Sequence, residues 1–316
     1  MNKKTTILIP VFNDQESLNK LLSELENLFT TTVLSSLHIL IVDDSSATPI
    51  KLKSATPYLI TILSLKMKLG HQKAIATGLA YIHHHITCTH ILIMDADGED
   101  RPEDLKKLLE AAVIHPNKIV LAHRTKRQEN LLYKTFYLIY KLSFRLLTGE
   151  KISFGHFMVL PKMIADKLVF YSEIWNNLPA TVLKSKFEYL KIDTQKGTRY
   201  EGKSKMNFNA LLLHGLGAIS VFIENVAVRL LTFSILLIAF SLFIITIILG
   251  VKFFTDLAIP GWASTIMSSL LIVLLQSILL SLFTLFLFLS SQSNRKFIPA
   301  LHYEDYIGNI ENANHG

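Results

Sequence analysis

Two long stretches without a charged residue limit what this chain can fold into more than any other feature. Residues 230–251 run for 22 positions, and residues 257–294 for 38, without Asp, Glu, Lys or Arg. A helix rises ~1.5 Å per residue and a bilayer core is ~30 Å thick, so about 20 residues cross it. The first run fits one span. The second opens on a break, Pro260-Gly261-Trp262, which leaves room for one span over about 264–289. Both runs are longer than the buried core helices of soluble proteins usually are. Half of the chain is hydrophobic, the mean hydropathy is +0.36, and the apolar excess sits near the C-terminus.

Flanking charge gives an orientation. Arg229 precedes the first span, with Lys203 and Lys205 further upstream, and Arg295 and Lys296 follow the second. The loop between offers only Lys252 against Asp256. The positive-inside rule therefore predicts both ends in the cytoplasm and a short external loop. The start, "MNKKTTILIPVF", lacks the apolar segment of a signal peptide, which predicts a cytoplasmic N-terminal domain. The single cysteine, Cys88, excludes an internal disulfide and fits a reducing compartment. A net charge of +7 points to an anionic partner. No basic helix or aromatic–basic repeat suggests nucleic acid, so a lipid bilayer surface or a phosphorylated ligand is the better match.

The first 130 residues alternate between two patterns. Apolar runs at 5–12 ("TTILIPVF"), 37–44 ("LHILIVDD"), 59–65 ("LITILSL"), 89–95 ("THILIMD") and 118–124 ("KIVLAHR") read as buried strands. Helical spacing appears between them at 14–29, where Leu18, Leu21, Leu22, Leu25 and Leu28 share a face, and at 70–85. A further helix is predicted from Arg101-Pro102 to Ala112, with Pro at a first-turn position and acids favouring its start. An aromatic-rich helix is predicted over 131–147, and 150–200 has no clear period. Apolar strands alternating with helices predict an α/β fold, a mostly parallel sheet covered on both faces. Such sheets bind ligands beyond the carboxyl ends of their strands, and Asp43, Asp44, Asp95, Asp97 and Arg124 all fall at such ends. After the sheet, Met206, Phe208, Leu211, Leu212 and Leu216 can form one face of a helix lying in the membrane interface. An ordinary core helix fits them as well.

The stretch "ILIMDADGED" crowds Asp95, Asp97, Glu99 and Asp100 behind a strand. Like charges so close repel unless something neutralises them. Mg²⁺ and Mn²⁺ prefer oxygen ligands, often one or two carboxylates plus ligand phosphates. Asp95 and Asp97 are therefore candidate metal ligands, and Asp100 is expected only to cap the following helix. His83-His84-His85 looks like a metal tract, but adjacent helical residues point in different directions.

These segments, "ILIPVFNDQESL", "LIVDDSS", "GHQKAIATGL", "ILIMDADGEDRPEDL" and "RYEGKSK", in this order, resemble glycosyltransferase family two. More closely they resemble its polyprenyl-phosphate glycosyltransferases, related to dolichol-phosphate mannose synthase, whose bacterial members carry two C-terminal spans. The resemblance covers residues about 5 to 290. It implies a GT-A (Rossmann-like) domain over 1–204, an interfacial segment over 205–227, two spans within 228–290 and a cytoplasmic tail over 291–316. It also implies a multi-pass protein of the bacterial inner membrane, a nucleotide-sugar donor, a polyprenyl (undecaprenyl) phosphate acceptor, and assembly as a homo-oligomer, possible as a tetramer.

Carried over by residue, Pro10, Asp14, Asp43 and Asp44 match the donor-nucleotide element, with Asp14 in place of the usual Glu. Asp95, Asp97 and Glu99 match the metal-binding acids, with Glu99 where close relatives carry Gln. Arg124, Arg199 and Lys205 match basic positions attributed to phosphate. The loop Arg199-x-x-Gly202-x-Ser204-Lys205 fits the family pattern at every fixed position. "VDDSS" lacks the glycine of the usual "VDDGS". His156, in "SFGHFMVLPKM", stands where relatives carry an acid or amide, in some the proposed base. An ionised phosphate acceptor needs no strong base, so His156 is expected to orient it or donate to it, or else to be a core histidine. "SEIWNNLPATVL" lacks a basic residue that close relatives often have, so donor identity is open, with UDP-glucose the first choice. The implied reaction is one displacement that inverts the anomeric carbon. Two rivals remain: a processive polysaccharide synthase, which normally carries Q-x-x-R-W and more spans, and a catalytically inactive membrane scaffold of the same fold.

Overall fold

The computed structural model describes residues 4–52, 56–124, 131–151, 153–201, 208–254, 261–293 and 297–313. Lys203, Lys205, Met206 and Pro260, singled out above, lie outside the described residues. The chain divides into two compact units: Met1–Lys141 with Lys151–Val221 and Lys296–Gly316, and Leu142–Glu150 with Phe222–Arg295.

In chain order the elements are β1 (Thr5–Val11), α1 (Gln15–Leu28), α2 (Thr31–Leu34), β2 (Leu37–Asp43), β3 (Leu59–Leu65), α3 (His71–His85), β4 (His90–Ile93), α4 (Pro102–Ile114), β5 (Ile119–Arg124) and α5 (Leu131–Thr148). They continue with β6 (Met158–Pro161), α6 (Lys162–Leu168), α7 (Leu178–Ser185), β7 (Tyr189–Thr194), α8 (Phe208–Ser220), α9 (Ile223–Phe254), α10 (Trp262–Ser293), α11 (Pro299–His302) and β8 (Ile307–Ala313). The eight strands form one sheet in the order β7-β5-β6-β4-β1-β2-β3-β8. It is mostly parallel; β6 runs antiparallel to β4 and β5, and β8 antiparallel to β3.

Every residue of β1 from Thr6 to Val11 is buried. Side chains alternate between faces along a strand, so both faces of the sheet are covered. Ile7, Ile9 and Val11 join one apolar core with Leu18, Leu21, Leu22 and Leu25 of α1 and Leu105 and Leu108 of α4. Leu8 meets α3 instead, at Gly78, where an added Cβ would collide with Leu8 and Val42. Only glycine allows that helix so close to the strands.

Two features shape the end of the sheet where ligands bind. β1 pairs with β2 along its whole length but with β4 only from Thr5 to Leu8. Pro10, which has no N–H to give, falls where the β4 ladder has already stopped. Chain order also reverses here, since β2 and β3 lie on one side of β1 and β4 on the other, and such switch points open crevices at the carboxyl ends.

The stretch 291–316, expected to be a tail, is corrected at its centre. Residues 297–313 belong to the first unit, and β8 adds an antiparallel edge strand to β3. Thr61 Oγ1 and Asn312 Oδ1 lie 2.8 Å apart across that pair. His84 Nε2 meets the Ala300 carbonyl at 2.9 Å, and His85 Nε2 meets the Tyr303 hydroxyl at 2.8 Å. His83 turns another way, with Nδ1 2.6 Å from Asp166 Oδ1. The three adjacent histidines therefore clasp three separate partners.

In the second unit, α9 and α10 each run 32 residues, about 48 Å at ~1.5 Å per residue. Ala227, Ser234, Ser241 and Ile248 are buried on α9 at intervals of seven, and Ala263, Ser277 and Thr284 are buried on α10. The small side chains Ala227, Ser234 and Ser241, repeated every seven residues, let two helices pack closely. Phe233, Ile235, Leu236, Phe240 and Phe243 point outward and are exposed, the inverse of a water-soluble helix pair. Arg229 Nη1 donates to the Leu146 carbonyl at 2.8 Å, closing the end of α5. Gly149 follows with φ +84°, and a Cβ there would strike the Arg229 guanidinium.

Candidate active site

Beyond β1 and β2 lies a cleft of about 370 Å³, lined among others by Asn13, Asp14, Gln15, Ser46, Arg199 and Glu201. Its floor is knitted by short polar bonds. Asp43 Oδ1 accepts from the Ser46 N–H at 3.0 Å, Ser46 Oγ from the Asn13 N–H at 2.8 Å, and Asn13 Oδ1 from the Ala47 N–H at 2.8 Å. Asn13 (φ 48°) and Ser45 (φ 62°) both adopt the left-handed region. Asn tolerates it; Ser does so at a cost. Position 45 is where the resemblance implies the glycine of "VDDGS". Asp44 is placed differently from Asp14. Its Oδ1 and Oδ2 accept the Leu69 and Gly70 N–H groups at 2.6 and 2.9 Å, which fixes the loop entering α3. Burial raises its carboxyl, against those two bonds and Lys68, which lower it.

The acid loop after β4 is folded around its own counter-ions. Asp100 does not cap α4, whose N-cap is Arg101; with 2% of its side chain exposed, it accepts the Asp95 N–H at 3.0 Å and pairs with Arg124 at 2.8 Å. Arg199 Nη2 pairs with Asp97 Oδ2 at 2.7 Å and reaches Glu99 Oε1 at 3.4 Å. Glu99 Oε2 lies 3.2 Å from Lys196 Nζ and 3.4 Å from Arg124 Nη1. Burial alone would raise Glu99; Lys196, Arg124 and Arg199 outweigh it and hold the carboxyl below its usual range. Gly98 (φ +85°) makes the turn, and a Cβ there would sit 2.9 Å from the Tyr200 ring. The Tyr200 N–H donates to the Asp97 carbonyl at 2.8 Å. The arginines thus answer part of the crowding that the sequence poses.

Asp95 is the exception. Its Oδ1 is sealed from solvent and accepts no hydrogen bond. His71 Nε2 lies 3.3 Å away without hydrogen-bond geometry and is a charge partner only when the imidazole is protonated. Burial first, and the Asp97 charge second, push the Asp95 carboxyl up to about 7. A buried oxygen left without a donor is costly, and a cation relieves both burdens. Among the described residues no three His, Cys, Asp or Glu side chains converge as a finished cage. A hard ion held by two carboxylates and completed by ligand phosphates needs none. Asp95 and Asp97 fit that role; Glu99 is engaged by three cations.

His156 stands beside this loop within a group of three imidazoles. His71 meets it edge-on at 5.0 Å between ring centres and His214 at 5.8 Å. Burial, then His71 and His214, lower the His156 pKa well below the usual range, so it is neutral at pH 7. The Gln72 amide bonds to its Nε2. Sequence reasoning passed over His71, Gln72, Lys196 and His214. The first two lie inside the quoted "GHQKA" motif and were open to notice; Lys196 and His214 come from segments with no pattern that marks them.

The family model for glycosyl transferase family 2 matches residues 6–169, just over half of the chain. The chain is 25% identical over 276 residues to the uncharacterized glycosyltransferase YkcC of Bacillus subtilis, covering 84% of this chain and 83% of that protein. It is 32% identical over 158 residues to the undecaprenyl-phosphate 4-deoxy-4-formamido-L-arabinose transferase of Salmonella typhimurium, covering 47% of this chain and 45% of that one. The chain thus spans less than half the length of that transferase. A structure of glucosyl-3-phosphoglycerate synthase from Mycobacterium tuberculosis, in complex with Mn²⁺, UDP-glucose and phosphoglyceric acid, superposes with a TM-score of 0.51 at 8% identity. It covers 71% of this chain and 80% of that one, a likeness of fold alone. Through the family match and the mostly parallel GT-A-like sheet with two apolar helices behind it, the chain belongs to glycosyl transferase family 2 and is a glycosyltransferase.

Proposed function

We propose that this enzyme moves a sugar from a nucleotide-diphosphate sugar to polyprenyl phosphate at the bacterial cytoplasmic membrane, inverting the anomeric carbon. The observation that carries the reading is the acid loop: a sealed, donorless carboxylate oxygen on Asp95 beside Asp97, with Arg124 and Arg199 paired to the same loop at 2.8 and 2.7 Å. Such a site suits two phosphorylated partners. The two apolar helices support a lipid acceptor, and the arabinose transferases, named for undecaprenyl phosphate, support its class.

Asp95 and Asp97, with Glu99 adjoining, are the residues that would hold Mg²⁺ or Mn²⁺; when bound, the ion neutralises charge on the leaving diphosphate. Asn13, Asp14, Ser46 and Arg199 line the cleft for the donor, and Asp43 braces its floor. A phosphate offers a guanidinium the same two-oxygen partner as a carboxylate. Arg124 and Arg199 exchange an acid for a phosphate when substrates enter, joined by Lys205. An acceptor phosphate oxygen forms the bond to the anomeric carbon as the bond to the diphosphate breaks, and the electron pair leaves with the diphosphate. The acceptor is already ionised, so no proton has to be removed and the neutral His156 orients it. Residues on both sides of the α9–α10 pair belong to one sheet, which supports a hairpin with both flanks on the cytoplasmic side. Assembly as a homo-oligomer, with a tetramer as the first state to test, is checked by light scattering in detergent.

The purified full chain, with Mn²⁺ or Mg²⁺, undecaprenyl phosphate and radiolabelled UDP-glucose, is expected to give a chloroform-soluble product. UDP-N-acetylhexosamine, UDP-galactose and GDP-mannose are the next donors. No lipid-borne label with any common donor would refute the reading.

A further inference from the structure

Gln72 lies in the first turn of α3, and neither end of its amide is free to turn. The Leu178 N–H donates to Gln72 Oε1 at 3.0 Å. A backbone N–H is satisfied only by the oxygen, so the NH₂ end must face the other way, toward His156 Nε2. An NH₂ group only donates. His156 Nε2 must then be the unprotonated nitrogen, and the ring's single hydrogen sits on Nδ1. The ring is packed edge-on by His71 and His214.

We propose that Gln72 is a positioning residue that holds His156 in the Nδ1–H tautomer, so that the position offers the acceptor phosphate a hydrogen-bond donor instead of a base. This rests on the reading of the acceptor as a phosphate. The tautomer gives His156 a chemical part that an acid at this position cannot play. A carboxylate accepts a proton and repels a phosphate; a neutral Nδ1–H donates to one. The leaving diphosphate carries the charge away, and the acceptor, already ionised, is held in line without adding a cation. The chain thus selects acceptors that bring their own negative charge over acceptors that must lose a proton from a hydroxyl.

The test reads the tautomer directly. The full chain in detergent, labelled with ¹⁵N-histidine, is compared with a His156→Asn variant to assign the His156 signals among the 12 histidines. An unprotonated-type Nε2 and a protonated Nδ1 are expected at pH 7.5. Gln72→Glu places an acceptor where the donor stood and should move the hydrogen to Nε2. The kcat should then fall at least about tenfold, as loss of an orienting partner commonly does, with donor KM within twofold of wild type. Gln72→Leu, which removes the bond without adding charge, should show both tautomers and an intermediate kcat. A protonated Nε2 in the wild type, or full kcat in Gln72→Glu with the tautomer reversed, overturns the proposal. If no donor yields a lipid product, the acceptor reading has failed, and the spectrum still decides separately whether Gln72 sets the tautomer.

Discussion

Arg199 Nη2 stands 2.7 Å from Asp97 Oδ2 and 3.4 Å from Glu99 Oε1, while the same arginine lines the cleft beyond β1. One guanidinium therefore joins the acid loop to that cleft. The pair is half-buried, so its strength is neither that of a surface pair nor that of a core one. Its value is geometric: it places one cation between two carboxylates at the edge of the cleft.

Asp97→Asn keeps the shape and removes the charge. Turnover to lipid-linked sugar should fall by about 10²–10³-fold, the usual scale for losing one preorganised electrostatic partner. An inactive scaffold would keep its cellular role in the same variant. Arg199→Lys keeps the charge and loses the fork, and should raise substrate KM more than it lowers kcat.

Metal affinity should depend on pH through Asp95. Its carboxyl is raised to about 7 without metal, so below pH 7 a proton must leave before an ion binds. Apparent Mn²⁺ affinity should weaken about tenfold per pH unit below 7 and level off above it. Calorimetry between pH 5.5 and 8.5 checks the slope. A flat profile would mean Asp95 is not a ligand.

Ser45→Gly sets two effects against each other. Left-handed backbone costs an L-residue roughly 1–2 kcal/mol, and glycine loses about 0.5–1 kcal/mol in the unfolded chain. A net gain of up to about 1.5 kcal/mol is expected, seen as a higher thermal midpoint with kcat unchanged.

Gly98→Ala should do the opposite. Position 98 has φ +85°, and a Cβ would lie 2.9 Å from the Tyr200 ring. Strain of about 1–3 kcal/mol is expected, relieved by moving the loop that carries Asp97 and Glu99. Activity should fall further than the midpoint.

Removing residues 307–316 should unpair β3 along its whole outer edge. The midpoint should drop by about 5 °C or more, with aggregation through the bared strand.

The central strands were legible because burial on both faces leaves them apolar throughout, as in "ILIMD" and "LHILIVD". The two long helices α9 and α10 were legible from their unbroken apolar composition. β6 has only four residues, too few to show a period. β7, "YLKIDT", is an edge strand and half polar. β8, "IGNIENA", carries Gly and Asn, which strands disfavour, and owes its form to pairing with β3. At the site, the acids and arginines were recognisable by type and spacing. Their pairings were not, because they link positions about 25 to 100 residues apart. The role of Asp100 changed for that reason: a cap is a local bond, whereas its partner Arg124 arrives from the next strand.

The placement of β8 has a consequence for synthesis. It leaves the ribosome after α10, yet it completes the sheet that β1 began some 300 residues earlier. The catalytic unit stays one strand short until both apolar helices have emerged. Final closure of the sheet therefore waits on translation of the whole chain, and a product that stops within α9 or α10 leaves the outer edge of β3 bare.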